Sequence, residues 1–537
     1  MPIETLQSLA RAAGHELVPS FGATFSTPGE AHLGASTTAK EMARWNPSNG
    51  SADADLLPDL ENLRNRSRDI ARNNGVASGA IQTTVDNVVG TGPRLAATPD
   101  YRALGRDKRW AEEWAINVEA RWRAYTETTE CDAAGQLTFA ALTGQVFRGG
   151  LVNGEALSLP LWLPNAGKFA TRHQVIEADR LCNPDNLPDD DKLRGGVEID
   201  PYGRPLAYWV RTTHPGDYFG LHFGISGKWQ RIPATTDWGR KRVVHVHDKE
   251  RTGQTRGKPL LAPVLAQFRM LDTYHRTEMQ AAVINAFVAA FMETNLPPEA
   301  VAEMLGADPK DDKFQEYVDS QREFVAPLRG AAIIPTMPGT KITPFSPGRP
   351  SEAFAPFTEA IERHIGVGIG LPFESLMKNF SKTNYSSARA SLLEAYRFFL
   401  GRRRWLTDFW VNPVYHLWLE EQVNAGVVEA PGYYENQYAY GRCKWIWPGR
   451  GWIDPVKEIE AAEKRMACNI STLERECAEQ GEDWEEVLEQ RAREKVRMDE
   501  LGLSAPPPAA ASARVPAAPP AGPVEDSEDE EEDDAKI

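Results

Sequence analysis

Two histidines and an aspartate stand together at His245-Val246-His247-Asp248. In an extended strand, side chains two residues apart leave the same face, so both imidazoles would present to one side. Paired imidazoles beside a carboxylate are the chemistry of a divalent metal that activates water. A metal-dependent hydrolase using His245, His247 and Asp248 is therefore one reading. The spacing offers no third ligand, and histidines at strand ends are common without a metal, so no metal ligand is assigned. The series Gly366-Val367-Gly368-Ile369-Gly370 resembles a phosphate cradle in outline. It follows a helical stretch and runs into Leu371-Pro372, whereas a dinucleotide fingerprint needs a strand before it and a helix after it. There is no G-x-S-x-G elbow and no Walker A lysine, so hydrolase and ATPase readings have no anchor. No catalytic residue and no cofactor are assigned.

Two basic features remain. Lys378, Lys382 and Asn384 lie in the polar segment LMKNFSKTNYSS between two helical stretches, where they would either meet a polyanion or simply be solvated. Arg402, Arg403 and Arg404 are consecutive on a helix, so they fan around it, and ion pairing with solvation is their expected role.

The formal net charge of the 537 residues is −16, and nine acidic residues fall between Glu525 and Asp534. The remainder is only mildly acidic. That opposes a broad basic surface gripping DNA and allows a protein that lets DNA pass. The length suits two to four domains. No apolar run reaches the span of a membrane helix, and the first residues do not read as a secretory signal. The five cysteines (131, 182, 443, 468, 477) form no CxxC pair and read as reduced thiols.

These residues must be held by elements that periodicity outlines. Residues 1–55 read as a poorly ordered arm. Residues 64–99 read as helix, turn, helix and a tight stop, with Ala77, Ile81, Val85 and Val88 on one helical face and Gly90 placed as the residue after the helix. An aromatic stripe, Trp110, Trp114, Val118 and Trp122, marks a helix over 104–125 that faces a core or a neighbouring subunit. Phe139, Leu142 and Val146 mark another. The period then changes to two. Residues 155–163, 173–181, the hairpin 196–211 and 242–250 read as strands, with Pro160 pointing to an edge or bulge and Asp200-Pro201-Tyr202-Gly203 to a type I turn. Helices are expected from Pro263 to about Met292, over 297–325, over 352–364 and from Tyr385 to Trp410, the last with Leu392, Tyr396, Phe399 and Arg403 on one side. Residues 326–350 form a Pro-rich insert with short β pieces near Ile333-Ile334 and Ile342. Residues 452–501 read as two helices, with a capping box at Ser471 and Glu474. Residues 503–537 read as a disordered tail, Pro/Ala-rich and then acidic.

Several strings, in this order, closely resemble the lambda-type portal proteins of tailed bacteriophages. The first is RNRSRDIARNNG followed by VDNVVGTG. The next are GEAL (154–157), QVIEADRL (174–181), GVEIDPYGRPLAYWV (196–210) and RGKPLLAPVL (256–265). The last are GVGIGLPFESLMKNFSKTNYSSARASLLE (366–394) and WIDPVKEIEAAEKRM (452–466). The likeness covers about residues 55–502. It implies an α+β subunit with an α/β wing, a helical stem, a small clip with short β pieces and a helical crown, assembled as a closed ring, usually of twelve copies. The expected division is wing over 56–296, stem helix over 297–325, clip over 326–350 and second stem helix over 351–370. Tunnel loop, long helix and return to the wing take 371–451, and the crown takes 452–502. The resemblance implies a structural channel and not an enzyme, in the virion at one capsid vertex, assembled in the host cytoplasm. Double-stranded DNA would pass the tunnel loop at Lys378, Lys382 and Asn384. The terminase large subunit would dock on the clip around Pro335, Pro338, Lys341 and Pro344. Major capsid protein or scaffold and a head-tail adaptor are the other implied partners, and no membrane is. Trp110, Trp114 and Trp122 are candidates for the subunit interface. The competing readings are another phage head or neck protein and the hydrolase above.

Overall fold

The computed structural model describes residues 32–35, 40, 42, 44–217, 228–287, 290–292, 333–335, 354–451 and 454–503. In chain order the helices and strands are α1 (Ala52–Leu56), α2 (Leu60–Asn73), α3 (Gly75–Val88), β1 (Arg94–Ala97), α4 (Lys108–Thr126) and α5 (Phe139–Asn153). A β-rich section follows: β2 (Glu155–Trp162), β3 (Thr171–Ile176), β4 (Leu193–Arg194), β5 (Val197–Ile199), β6 (Pro205–Arg211), β7 (Trp229–Pro233) and β8 (Val244–His247). Then come α6 (Leu265–Phe287), β9 (Ala290–Met292), β10 (Ile333–Pro335), α7 (Phe354–Ile369), α8 (Phe373–Met377), α9 (Tyr385–Leu406) and α10 (Asn412–Asn424). The chain continues with α11 (Gln437–Tyr440), β11 (Cys443–Ile446), α12 (Pro455–Ala467), α13 (Leu473–Glu479) and α14 (Trp484–Glu500). The class is α+β, as expected.

The chain divides into two units, one of residues 1–86 and 124–429, the other of 87–123 and 430–537. In the first, a three-stranded sheet runs β3-β2-β8 and a four-stranded antiparallel sheet runs β4-β5-β6-β7. Leu157, Leu159, Ile176, Leu181, Val197, Tyr208, Val210 and Ile232 form one apolar cluster from both sheets. Leu157 and Leu159 face this cluster with Leu161 partly buried against it, but Glu155, Ala156 and Ser158 are buried too, so both faces of β2 are covered at its start and the expected alternation does not appear there. Pro160 pairs only with His173 of β3, because β8 covers β2 no further than Ser158. The missing amide therefore falls where β2 has become an edge. The hairpin turn is as expected: Gly203 N donates to Asp200 O at 2.9 Å, and Asp200 Oδ1 accepts from Tyr202 N and Arg204 N. The strand expected over 173–181 stops at Ile176, and residues 178–180 coil into a 3-10 turn.

Asn74 explains the asparagine pair of the first motif. It ends α2 in an extended conformation, and its Oδ1 accepts from Val76 N and Ala77 N, capping α3. Ala77, Ile81 and Val88 are buried as expected. Elsewhere in this unit Phe139 stacks on Trp410, and Tyr415, Trp418, Tyr125 and Phe169 form a run of ring contacts. The long helix after residue 385 does not stop at Trp410. It widens into a π turn over Thr407–Val411 and continues as α10. Pro413 lacks the amide that a regular turn would use there, which favours the wider turn.

In the second unit β1 pairs antiparallel with β11, Arg94 opposite Ile446. The two helices expected over 452–501 are three, α12 to α14, and the cap of α13 is Thr472, whose Oγ1 accepts from Arg475 N. Helix α6 ends at Phe287, earlier than the expected Met292, and β9 follows. Helix α7 runs to Ile369, beyond the expected His364. The helix expected over 297–325, most of the poorly ordered arm expected over 1–55 and the tail over 504–537 lie outside the described residues, while the last residues of that arm are described and enter helix α1, capped by Ser51.

Candidate functional site

Strand β8 does bring His245 and His247 together, but not as metal ligands. The two rings stack with centroids 4.1 Å apart, and His245 Nε2 lies 3.0 Å from Glu155 Oε2. Asp248 turns away to Arg402, 2.8 Å distant. The carboxylate at the centre is Glu155, fully buried at the start of β2. It accepts from Arg256 Nε at 2.9 and 3.0 Å, from Gly257 N at 3.0 Å, and from the terminal nitrogens of Arg256 and Arg64. The same guanidiniums reach outward. Arg256 donates to Leu181 O at 2.8 Å and Ala178 O at 3.0 Å, and Arg64 to Asn153 O at 3.2 Å. The carboxylate is thus shared by two cations and an imidazole.

Burial alone would raise the Glu155 carboxyl, but Arg256, Arg64 and the His245 hydrogen bond outweigh it and hold Glu155 well below the usual carboxylate range. Burial pushes Arg64 down to about 10 against the pull of Glu155. Burial also lowers His245, against the same carboxylate, and burial with the neighbouring His245 lowers His247. Both imidazoles are therefore neutral at pH 7, and the Glu155 carboxylate, a weak base at so low a pKa, is taken up by the two guanidiniums. His247 Nδ1 and Nε2 are buried without a hydrogen-bond partner among the described residues, but its ring stacks on His245, whose Nε2 is engaged by Glu155, and Asp248 is engaged by Arg402, so the three do not converge on one ion. Chemically it is a joint. It ties α2, α5, β2, the 178–181 turn, β8 and the 256–257 segment to one buried charge. Gly154 and Gly257 permit this closeness. A Cβ on Gly257 would sit 2.0 Å from the carbonyl oxygen of Gly154, which itself has φ +87°.

The hydrolase reading of the histidines is thereby corrected. Among the described residues, the atoms that converge as metal ligands could are those of Glu177, Asp179 and His214, within 4.8 Å of one another. This group was not singled out from sequence. Arg68 already binds Asp179, and burial there is outweighed by that hydrogen bond, which lowers the Asp179 carboxyl. The glycine series is also structural. Gly366 and Gly368 lie inside α7, where a Cβ would meet Leu371 O at 2.7 Å or Val264 Cγ1 at 2.4 Å, and Gly370 ends the helix at φ +80°.

The basic segment is a loop between α8 and α9, and its three candidate residues differ in employment. Lys378 caps α8 in the left-handed region at φ +53°, exposed and without an ion pair among the described residues. Lys382 Nζ lies 2.6 Å from Glu359 Oε2 on α7 yet stays 71% exposed. Asn384 is the N-cap of α9, in a capping box with Ser387. Of the three consecutive arginines, Arg402 pairs with Asp248 and Arg404 with Asp408, as expected, while Arg403 is buried over the Tyr396 ring. Pro335 lies in β10, parallel to β9 and opposite Met292; Pro338, Lys341 and Pro344 lie outside the described residues.

The tryptophan stripe is spent inside its own unit. Trp114 packs at 5.9 Å from Tyr440 and Trp122 at 5.8 Å from Trp445, and both are buried in the single chain. They offer no surface to a neighbouring subunit. Trp110 is half-buried, between Tyr440 and the Arg106 guanidinium.

Residues 38–403 match the family model of the phage portal protein, lambda family. The "Portal protein" of Escherichia phage N15 and "Portal protein B" of Escherichia phage lambda are each 32% identical over 497 residues, covering 90% of this chain and 92% of theirs. A solved chain from the virion of a native gene transfer agent particle is 13% identical with a TM-score of 0.41, covering 79% of this chain and 93% of that one.

Proposed function

Since the chain belongs to the lambda family of phage portal proteins, we propose that it closes into a ring, of about twelve copies, at one vertex of the phage head, and that double-stranded DNA enters and leaves through the ring. The match over residues 38–403 carries this reading. The protein is then a structural component of the virion and not an enzyme. The buried Glu155 carboxylate, engaged by Arg64, Arg256 and His245, is in keeping with that role.

The loop between α8 and α9 is assigned to the DNA. Lys378 and Lys382 would repeat around the ring and meet phosphates from all sides, weakly and without reading sequence, as passage of a duplex requires. Asn384 acts by holding the loop onto α9. Residues 56–296 form the wing, 297–325 and 351–370 the stem, 326–350 the clip, 371–451 the tunnel loop, long helix and return to the wing, and 452–502 the crown. The terminase large subunit docks on the clip around Pro335, Pro338, Lys341 and Pro344. Capsid or scaffold protein and a head-tail adaptor meet other faces, with assembly in the host cytoplasm. The contact between copies is heterologous, one patch against a different one, so that it closes a ring.

Native mass and negative-stain imaging test the ring. Closed particles with a central hole that admits a duplex support it, and a monomer or dimer under all conditions refutes it. Replacing Lys378 and Lys382 with Ala tests the loop. Unchanged packaging and DNA retention in assembled heads would remove its assignment.

A further inference from the structure

We propose that the contact between neighbouring copies uses an arginine–leucine face of α9 on one copy and the acidic loop 185–191 on the next. The proposal rests on the ring reading above and names a contact within it.

Arg389, Leu393, Arg397 and Leu400 share one side of α9, within an arc of about 80° at 3.6 residues per turn. Leu393 and Leu400 remain 42% and 44% exposed. Arg389 and Arg397 are exposed and have no ion pair among the described residues, unlike Arg402 and Arg404 on the same helix. Glu394, the carboxylate next in sequence, falls about 60° outside the arc. Arginines alternating with exposed leucines suit a protein partner better than DNA. A phosphate backbone would take the arginines but leave the leucines wet, whereas arginine with an apolar anchor is typical of a protein interface.

The chain carries the complementary surface. Asp185, Asp189, Asp190 and Asp191, all exposed, flank Leu187 along the chain, and Leu187 is 53% exposed. The loop is pre-shaped. Asn183 Nδ2 donates to Leu187 O at 2.8 Å and to Asp189 Oδ1 at 2.9 Å, and Asp190 Oδ1 accepts from Lys192 N and Leu193 N. Asp185 and Asp191 have no ion pair among the described residues. A rigid acidic loop with one protruding leucine loses little entropy on docking. Two different, opposite patches on one chain are what a head-to-tail contact needs.

Charge reversal tests this on the full-length chain. Arg389→Glu with Arg397→Glu, and separately Asp185→Lys with Asp191→Lys, should each raise the concentration needed for half-maximal ring formation at least tenfold. Circular dichroism and melting temperature should stay unchanged. The chain carrying all four changes restores opposite charges across every contact and should recover rings to within about threefold of the unaltered chain. Doubles that assemble normally overturn the proposal, as does a quadruple variant that stays defective. Doubles that form normal rings but lose DNA in filled heads overturn it too and give the α9 face to DNA. Failure of the unaltered chain to form rings overturns the ring reading itself, and the contact with it.

Discussion

Replacing Glu155 with Gln should destabilise the first unit severely although the side chain keeps its shape. Glu155 is fully buried, and its two cationic partners are only 5% and 3% exposed on their side chains. Gln removes the one negative charge and leaves both guanidiniums buried without it. Its new amide hydrogens also face the Arg256 Nε and Gly257 N donors. Breaking a buried pair by deleting one partner costs about 3–5 kcal/mol. For a unit of this size that lowers the melting temperature by on the order of 4–6 °C. Scanning calorimetry reads the shift. Native-state hydrogen exchange locates it, with β2 and α2 amides losing protection together. Adding Arg256→Met to Glu155→Gln should recover part of the loss, because one stranded charge disappears with its partner. A melting shift below about 2 °C for Glu155→Gln, or strictly additive losses in the double variant, would refute the view that one carboxylate holds the joint.

The buried imidazoles predict acid lability. Burial lowers His173 to about 3, and burial likewise lowers His245, His247 and His416. Below about pH 6.5 the unfolded chain binds protons that the folded chain refuses, so stability present at neutral pH declines as pH falls toward each folded value. His173 alone should cost about 2 kcal/mol at pH 5; urea midpoints at pH 7.5, 6 and 5 measure it, and a His173→Gln variant with an unchanged slope would refute the assignment. Glu119 runs the other way. Burial raises it to about 7 against the Ala97 amide bond, so its stabilising share is whole below about pH 4.5 and is lost as pH rises through 7. Carbon-detected titration of its carboxyl gives the midpoint, and a value near 4.5 would show that the site is wet. Gly257→Ala places a methyl against the Gly154 carbonyl and should cost about 3 kcal/mol; a variant that melts like the parent would mean that the two segments part easily.

Much of the fold was legible because burial imposes periods. Ala77, Ile81 and Val88, or Leu157 and Leu159, are apolar at the step their element dictates. The turn at Asp200 was legible because its residues carry the turn chemistry themselves. What periodicity reports is that a face is covered, not by what. Trp114 and Trp122 were correctly read as a covered face, yet Tyr440 and Trp445, more than 300 residues onward, do the covering. Borders slipped where a local competitor ends an element. Thr472, not Ser471, caps α13, and the 3-10 turn at 178–180 cuts short the strand expected to reach Leu181.

The Glu155 joint was present in the sequence only as an anomaly. Arg64 and Ser67 occupy the positions of α2 where Leu60 and Ile70 set the core pattern, and Glu155 opens an otherwise apolar strand. A charge at a core position calls for a buried partner, but nothing local names it, since Arg64, Glu155 and Arg256 are each about a hundred residues apart. Several of the strings that carry the portal likeness meet here: RNRSRDIARNNG through Arg64, GEAL through Glu155, QVIEADRL through Ala178 and RGKPLL through Arg256. The most recognisable residues therefore mark how the subunit is held together, while the residues assigned to DNA and to neighbouring copies sit on exposed loops and helix faces with little internal constraint. The two classes should separate under mutation. Changes at Glu155 act through folding and lower every downstream property together. Changes at Lys378, Arg389 or Asp185 leave the melting temperature in place and strike one property each.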